Sequence, residues 1–111
     1  MLQSHTSVVE RDVIWAERFE TEPYEAGWAR EAIFFVRTLD SVPTGSDIQA
    51  RVQISPDGMR WCDEGTEVSI AKEKDGVGFG KVKHFGTFLR LVGDLPEGVE
   101  TRVIVYLSLK E

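Results

Sequence analysis

Between Asp47 and Cys62 the chain reads D-I-Q-A-R-V-Q-I-S-P-D-G-M-R-W-C, and this stretch constrains the fold more than any other. Ile48, Ala50, Val52 and Ile54 alternate with Gln49, Arg51, Gln53 and Ser55. Side chains on a strand repeat every two residues, so the run has one apolar face and one wet face. Ser55-Pro56-Asp57-Gly58 follows, where proline presets φ for a turn and glycine accepts positive φ. Pairing is expected to resume at Met59-Arg60-Trp61-Cys62. The stretch is a β-hairpin. It sets the class of the whole chain and names no chemistry.

The remaining segments agree with that class. From Val99 to Lys110, Val99, Thr101, Val103, Val105, Leu107 and Leu109 alternate with Glu100, Arg102, Ile104, Tyr106, Ser108 and Lys110. Ser7 to Phe19 is β-branched and aromatic around the charged triplet Glu10-Arg11-Asp12, which predicts two short strands or one strand with a bulge. Glu20 to Gly27 is expected to be a loop, Trp28 to Leu39 a long strand, and Asp40 to Ser46 a second loop. Thr66 to Ala71, Val77 to Phe85 and Thr87 to Val92 complete the set, with Asp75-Gly76 suggesting another tight hairpin turn. Helical periodicity is missing throughout. Seven or eight strands at this spacing predict one antiparallel β-sandwich of the jelly-roll kind, with an Ig-like Greek key as the alternative.

A chain of 111 residues makes one domain, here residues 7–111 behind a polar N-terminal tail at 1–6, and can bury about two-thirds of its unfolded surface. The single cysteine, Cys62, has no internal partner for a disulfide, which favours a reducing compartment. Met1 to Glu10 lacks the basic flank and apolar run of a signal peptide, and no apolar run approaches the ~20 residues of a spanning helix. The expected setting is cytoplasmic or within a phage-like assembled particle. Nineteen acids against 13 bases give a net charge of −6. Nucleic-acid binders gain affinity from Lys and Arg neutralising phosphate, so neither nucleic acid nor an anionic membrane is an expected partner.

Catalytic signals are sparse. His5 and His84 have no carboxylate or second histidine at ligand spacing, and neither G-x-S-x-G nor H-E-x-x-H occurs. Gly76-Val77-Gly78-Phe79-Gly80 sits in a β region with no helix after it. It therefore suggests a bulge or close backbone approach, in contrast to a phosphate loop. The acids at turns supply too few oxygens in any one cluster for calcium. The expectation is a non-enzymatic chain with no cofactor and no metal.

Two sets of residues are candidates for binding. Tyr24 and Trp28 bracket a Pro/Gly loop and, with Arg30, have the chemistry to stack on and hydrogen-bond a sugar. Trp15 and Trp61 are expected in the core. Ala32 to Val36 and Val103 to Leu109 are apolar on both faces, whereas a two-layer sandwich covers only the inner ones. Ile33, Phe35, Ile104 and Tyr106 would then form an outer patch of the kind that monomers rarely expose, which predicts self-association.

The hairpin also carries a resemblance. Ser55-Pro56-Asp57-Gly58 followed by Trp61 resembles the S-x-D-G-x-x-W hairpin of discoidin-type (coagulation-factor C-type) sandwiches and related carbohydrate-binding modules. Phe88-Leu89-Arg90-Leu91 is similar to the aromatic-x-Arg-aliphatic strand that follows in those domains. The two elements also occur in small sandwich proteins of bacteria and phages, including accessory and surface-decorating ones. The resemblance spans the chain from Asp47 onward and implies a jelly-roll-like sandwich. It departs from secreted discoidin domains in lacking their terminal cysteine pair and ligand-spike loop. The resulting expectation is a non-enzymatic binding or assembly module acting as a homo-oligomer, a structural accessory protein of decoration type, with a carbohydrate-binding module presenting Tyr24 and Trp28 as the alternative.

Overall fold

In a computed structural model, which describes residues 3–43, 45 and 47–111, the chain forms nine strands among those residues. They are β1 (Ser4–Ala16), β2 (Arg18–Glu20), β3 (Tyr24–Glu25), β4 (Glu31–Thr38), β5 (Ile48–Ser55), β6 (Cys62–Ile70), β7 (Val77–Lys83), β8 (Phe88–Asp94) and β9 (Glu100–Lys110). A first sheet has the order β1-β9-β4-β7 and a second the order β2-β8-β5-β6, with β3 also paired to β8.

The pairings nest. Ser4 faces Lys110, Arg18 faces Asp94, Tyr24 faces Leu89, Glu31 faces Lys83, Ile48 faces Ile70 and Ile54 faces Cys62. The chain is thus one long antiparallel ribbon whose apex is the Pro56–Trp61 turn. Rolling that ribbon adds the β9–β4 and β8–β5 pairs and divides it into two sheets. This is the jelly-roll arrangement, so the sandwich expected from the sequence forms. The Ig-like alternative, built from hairpins between sequence neighbours, does not.

Local chemistry explains where the ribbon bends. The charged triplet becomes a bulge inside a single β1, with register shifts between Val8 and Val13 and Asp12 at φ 52°. Glu17, also at φ 52°, marks the step from β1 in the first sheet to β2 in the second. The Trp15 and Phe19 rings stack across that step with centroids 3.9 Å apart. Between the sheets lie Phe34 and Val36 of β4, Val103, Val105, Leu107 and Leu109 of β9, Val52 of β5, Val68 of β6, and Leu89 and Leu91 of β8, all fully buried. Each such side chain stabilises the fold by about 1.5–3 kcal/mol relative to exposure.

The glycine series closes the roll. Gly78 and Gly80 point inward from β7, where a Cβ on Gly78 would overlap the Ser69 carbonyl and one on Gly80 would crowd Val68 and Thr66. Their bareness lets the edge of β7 meet the edge of β6, and the Thr66 hydroxyl donates to the Lys81 carbonyl at 3.2 Å. The glycines therefore serve close backbone approach, one of the roles their alternation suggested.

Several boundaries differ from the sequence expectations. β1 begins at Ser4, three residues into the expected tail, because Ser4 to Ser7 pair with Lys110 to Leu107; Met1 and Leu2 of that tail lie outside the described residues. The expected loop at Glu20 to Gly27 contains β3, and the strand expected from Trp28 begins at Glu31. The Asp40 to Ser46 loop includes Thr44 and Ser46, which lie outside the described residues. Asp75-Gly76 does not close a hairpin within one sheet. It carries the chain from β6 to β7 across the sandwich, with Asp75 at φ 64°; the Asp75 amide donates to the Thr38 carbonyl and the Thr38 amide to the Gly76 carbonyl, tying the turn to the end of β4.

Candidate functional site

The two outer faces have opposite character. On the first sheet, Val8 faces Tyr106, Tyr106 faces Phe35 and Phe35 faces Phe79, so four apolar or aromatic side chains form one row across all four strands. At a strand spacing of ~4.8 Å the row is about 14 Å long. The Phe35 and Phe79 rings lie 6.3 Å apart at 41°, a tilted contact. Ile33 flanks the row on one side; Ile104 and Val77 flank it on the other. Phe79 is 57% exposed, Val77 54% and Ile14 63%.

Six large apolar side chains are exposed among the described residues. Val8, Ile14, Val77 and Phe79 are on this face, while Trp28 and Met59 lie in loops, so the second sheet contributes none. Its outer surface is instead an ionic lattice. Arg90 pairs with Glu20 at 3.2 Å and donates to Gln53 at 2.9 Å; Gln53 donates to Asp63 at 2.9 Å; Arg51 reaches both Asp63 and Asp94 at 3.7 Å.

Charge is also unevenly divided along the strands of the first sheet. Lys81 lies opposite Ile33, and beyond it lie Lys83 and Lys110 around Glu31, with Glu111 next to Lys110. Beyond Ile104 lie Asp12, Asp40, Asp75 and Glu100 around Arg37 and Arg102. Asp75, and after it Tyr106, stabilise the charged Arg37 guanidinium and push its pKa above the ordinary value.

At the apex of the ribbon, ladder pairing stops at Ser55 and resumes at Cys62, later than the expected Met59. Side-chain bonds replace the ladder there. The Ser55 hydroxyl accepts from the Gly58 amide at 2.8 Å, and the Asp57 carboxylate accepts from the Met59 and Arg60 amides at 2.9 Å each. The Arg60 and Met59 amides, then the Arg60 guanidinium, hold the Asp57 carboxyl far below the usual carboxylate range. Gly58 takes φ 80° and sits against the Phe88 ring. Arg90 lies over the Trp61 indole, so the S-x-D-G-x-x-W hairpin and the Phe88–Leu91 strand form a single structural unit. Trp61 is half-buried in that unit, outside the core cluster that holds Trp15. Arg90 pairs with Glu20 because β2 lies against β8.

The three residues expected to bind a ligand have different surroundings. Tyr24 is half-buried, packs against the core, and shares a 2.8 Å hydrogen bond with the Ser7 hydroxyl. Trp28 is an exposed loop indole. Arg30 lines an open cleft of about 490 Å³ with Ala29, Glu31, Lys83, His84 and Phe85. By contrast, Ile33, Phe35, Ile104 and Tyr106 are brought together, half-buried, on the outer face of the first sheet. Among the described residues no group of three or more His, Cys, Asp or Glu side chains is placed to hold a metal, and no helix is long and apolar enough to cross a membrane.

Phe79, Val77 and Val8 are absent from the patch expected from the sequence. The signal for Phe79 was its phase: it alternates with Gly78 and Gly80 and falls in step with Lys81 and Lys83, which belong outside.

No family model matches the chain, and no curated protein matches it in sequence. Among solved structures it is similar to the SPBc2 prophage-derived protein YomS, with a TM-score of 0.62 at 11% identity, covering 100% of this chain and 96% of that one. At that identity the likeness is one of fold.

Proposed function

We propose that this chain is a non-enzymatic assembly module that works as a homo-oligomer, docking through the outer face of its first sheet. The observation that carries the reading is the Val8–Tyr106–Phe35–Phe79 row, set beside a second sheet whose outer face is ionic. An apolar face on one sheet alone favours a specific contact, since scattered surface hydrophobics would not align across four strands. Fully burying an exposed phenylalanine contributes about 1.5–3 kcal/mol, so completing the burial of these half-exposed rings contributes about half of that each, and in a two-fold dimer every residue contributes twice. That gain must exceed an association cost of about 4–15 kcal/mol, so the row needs its flanking isoleucines to hold a dimer. The jelly-roll likeness to a prophage-derived protein supports a role in a phage-like particle.

Light scattering across a concentration series tests the reading. The wild type is expected to exceed its monomer mass of 12.5 kDa at micromolar concentration. Phe35→Asp with Phe79→Asp is expected to return it to monomer with its β spectrum intact. A wild type that stays at 12.5 kDa throughout would sink the proposal.

A second reading, glycan binding, has two observations in its favour: the exposed Trp28 indole, and Arg30 in the cleft beside it in sequence. Tryptophan fluorescence titrated with polysaccharides separates it from assembly, with quenching lost in Trp28→Ala if glycan binds there.

A further inference from the structure

We propose that the occupant of the apolar face is a second copy of this chain, related by a two-fold axis that runs along the aromatic row. This inference rests on the assembly reading and specifies its geometry. A face-to-face dimer has its two-fold axis in the plane of the contact, and the contact is isologous. Two orientations superpose the apolar rows. With the axis along the strands, each end of the sheet meets the same end of the partner. With the axis along the row, the strand direction reverses and each end meets the opposite one.

The charges on the face choose between them. Lys81, Lys83 and Lys110 outnumber Glu31 and Glu111 at one end, and Asp12, Asp40, Asp75 and Glu100 outnumber Arg37 and Arg102 at the other. An axis along the strands would set lysine against lysine and carboxylate against carboxylate. An axis along the row sets the lysine end of each copy against the carboxylate end of its partner, twice over by symmetry. Opposed potentials of this kind fix register and suppress the wrong orientation, while the apolar row supplies the attraction. The same symmetry places Phe35 and Tyr106, at the middle of the row, against their own counterparts.

Charge reversal on the full chain tests the geometry by sedimentation equilibrium, with circular dichroism as the check on folding. Asp40→Lys with Glu100→Lys is expected to weaken the dimer about tenfold or more, although it brings the acidic chain closer to neutrality and so reduces general repulsion. Lys81→Glu with Lys110→Glu is expected to weaken it similarly. All four substitutions in one chain are expected to restore the wild-type dissociation constant to within about threefold, because both ends are inverted and net charge is unchanged. If the wild type dimerises but the Asp40/Glu100 pair tightens it, or the fourfold variant fails to recover, the axis is wrong and self-association stands. If the wild type is a monomer at every concentration, both the geometry and the assembly reading fall.

Discussion

The Arg90 guanidinium lies over the Trp61 indole, 4.2 Å from the ring centroid, and ties the apex of the ribbon to β8. The same guanidinium donates to Gln53 and pairs with Glu20, and its side chain is 13% exposed. Glu20 is half in solvent, so removing Arg90 strands no buried carboxylate. The loss is the cation–π contact, the charge-assisted hydrogen bond to Gln53 and the half-exposed ion pair with Glu20, worth about 1–3 kcal/mol together. Arg90→Met is therefore expected to lower the unfolding free energy by that amount, read from a lower urea midpoint at unchanged m, and a double-mutant cycle with Trp61→Leu should show coupling. Independent, additive effects would mean the stack does not stabilise the fold.

Gly78 is the position where β7 and β6 touch most closely. A methyl there would overlap the Ser69 carbonyl, which is backbone and has no rotamer to move. Gly78→Ala is expected to destabilise by about 1–3 kcal/mol or more, as overpacking does. Gly45→Ala, where a Cβ meets open space, serves as the reference and is expected to change the melting temperature little. Equal melting temperatures for the two variants would show that the sheet edges do not close as described.

Asp57 makes the apex pH-sensitive in one direction. Its folded-state pKa is depressed, so the unfolded chain takes up the proton first as pH falls. Its contribution is complete above the ordinary carboxylate pKa of about 4, and it is lost as pH falls below that towards the depressed folded value. The melting-temperature gap between wild type and Asp57→Asn is expected to be constant from neutral pH to about 5 and to narrow below about 4. A gap that persists unchanged into strong acid would contradict the assigned hydrogen bonds.

Thr101 faces the core from β9, and its hydroxyl is buried with no hydrogen-bond partner among the described residues. Valine has the same shape without the polar atom. Thr101→Val is expected to raise stability by about 1–2 kcal/mol, since an unsatisfied buried hydroxyl costs roughly that much. A lower melting temperature would mean that the hydroxyl is satisfied in solution.

What the residues reveal on their own divides along a physical line. The alternation in Ile48–Ser55 and Val99–Lys110 predicts strand, face and core in one step, because the side-chain period of a strand is a local property. Ile48, Ala50 and Val52, and Thr101, Val103, Val105, Leu107 and Leu109, are buried as that alternation requires, whereas Ile54 and Val99 are half-buried and Ser55, expected on the wet face, is buried next to the apex turn. The partner of each strand is another matter. That β1 lies beside β9, or that Glu20 reaches Arg90, depends on which distant halves of the chain pair into the ribbon, and that β4 lies beside β9 depends on how the ribbon rolls; both are set by long-range packing that no single window contains. The expected surface patch occupies an intermediate place. Ile33, Phe35, Ile104 and Tyr106 follow from apolar residues on the face opposite the core, but their alignment with Val8 and Phe79 needs the register between strands. The Tyr24 hydroxyl shows the reverse case: its bond to Ser7 joins β3 to β1 across a sheet boundary that the sequence does not mark.

Dilution followed by nuclear magnetic resonance tests the central claim, self-association through the first sheet, most directly. As the protein is taken from high to low concentration, the signals of Val8, Ile33, Phe35, Phe79, Ile104 and Tyr106 are expected to shift or broaden together. Those of Arg51, Gln53 and Arg90 on the second sheet should stay in place. Changes centred on the second sheet, or a spectrum that does not respond to concentration at all, would contradict it.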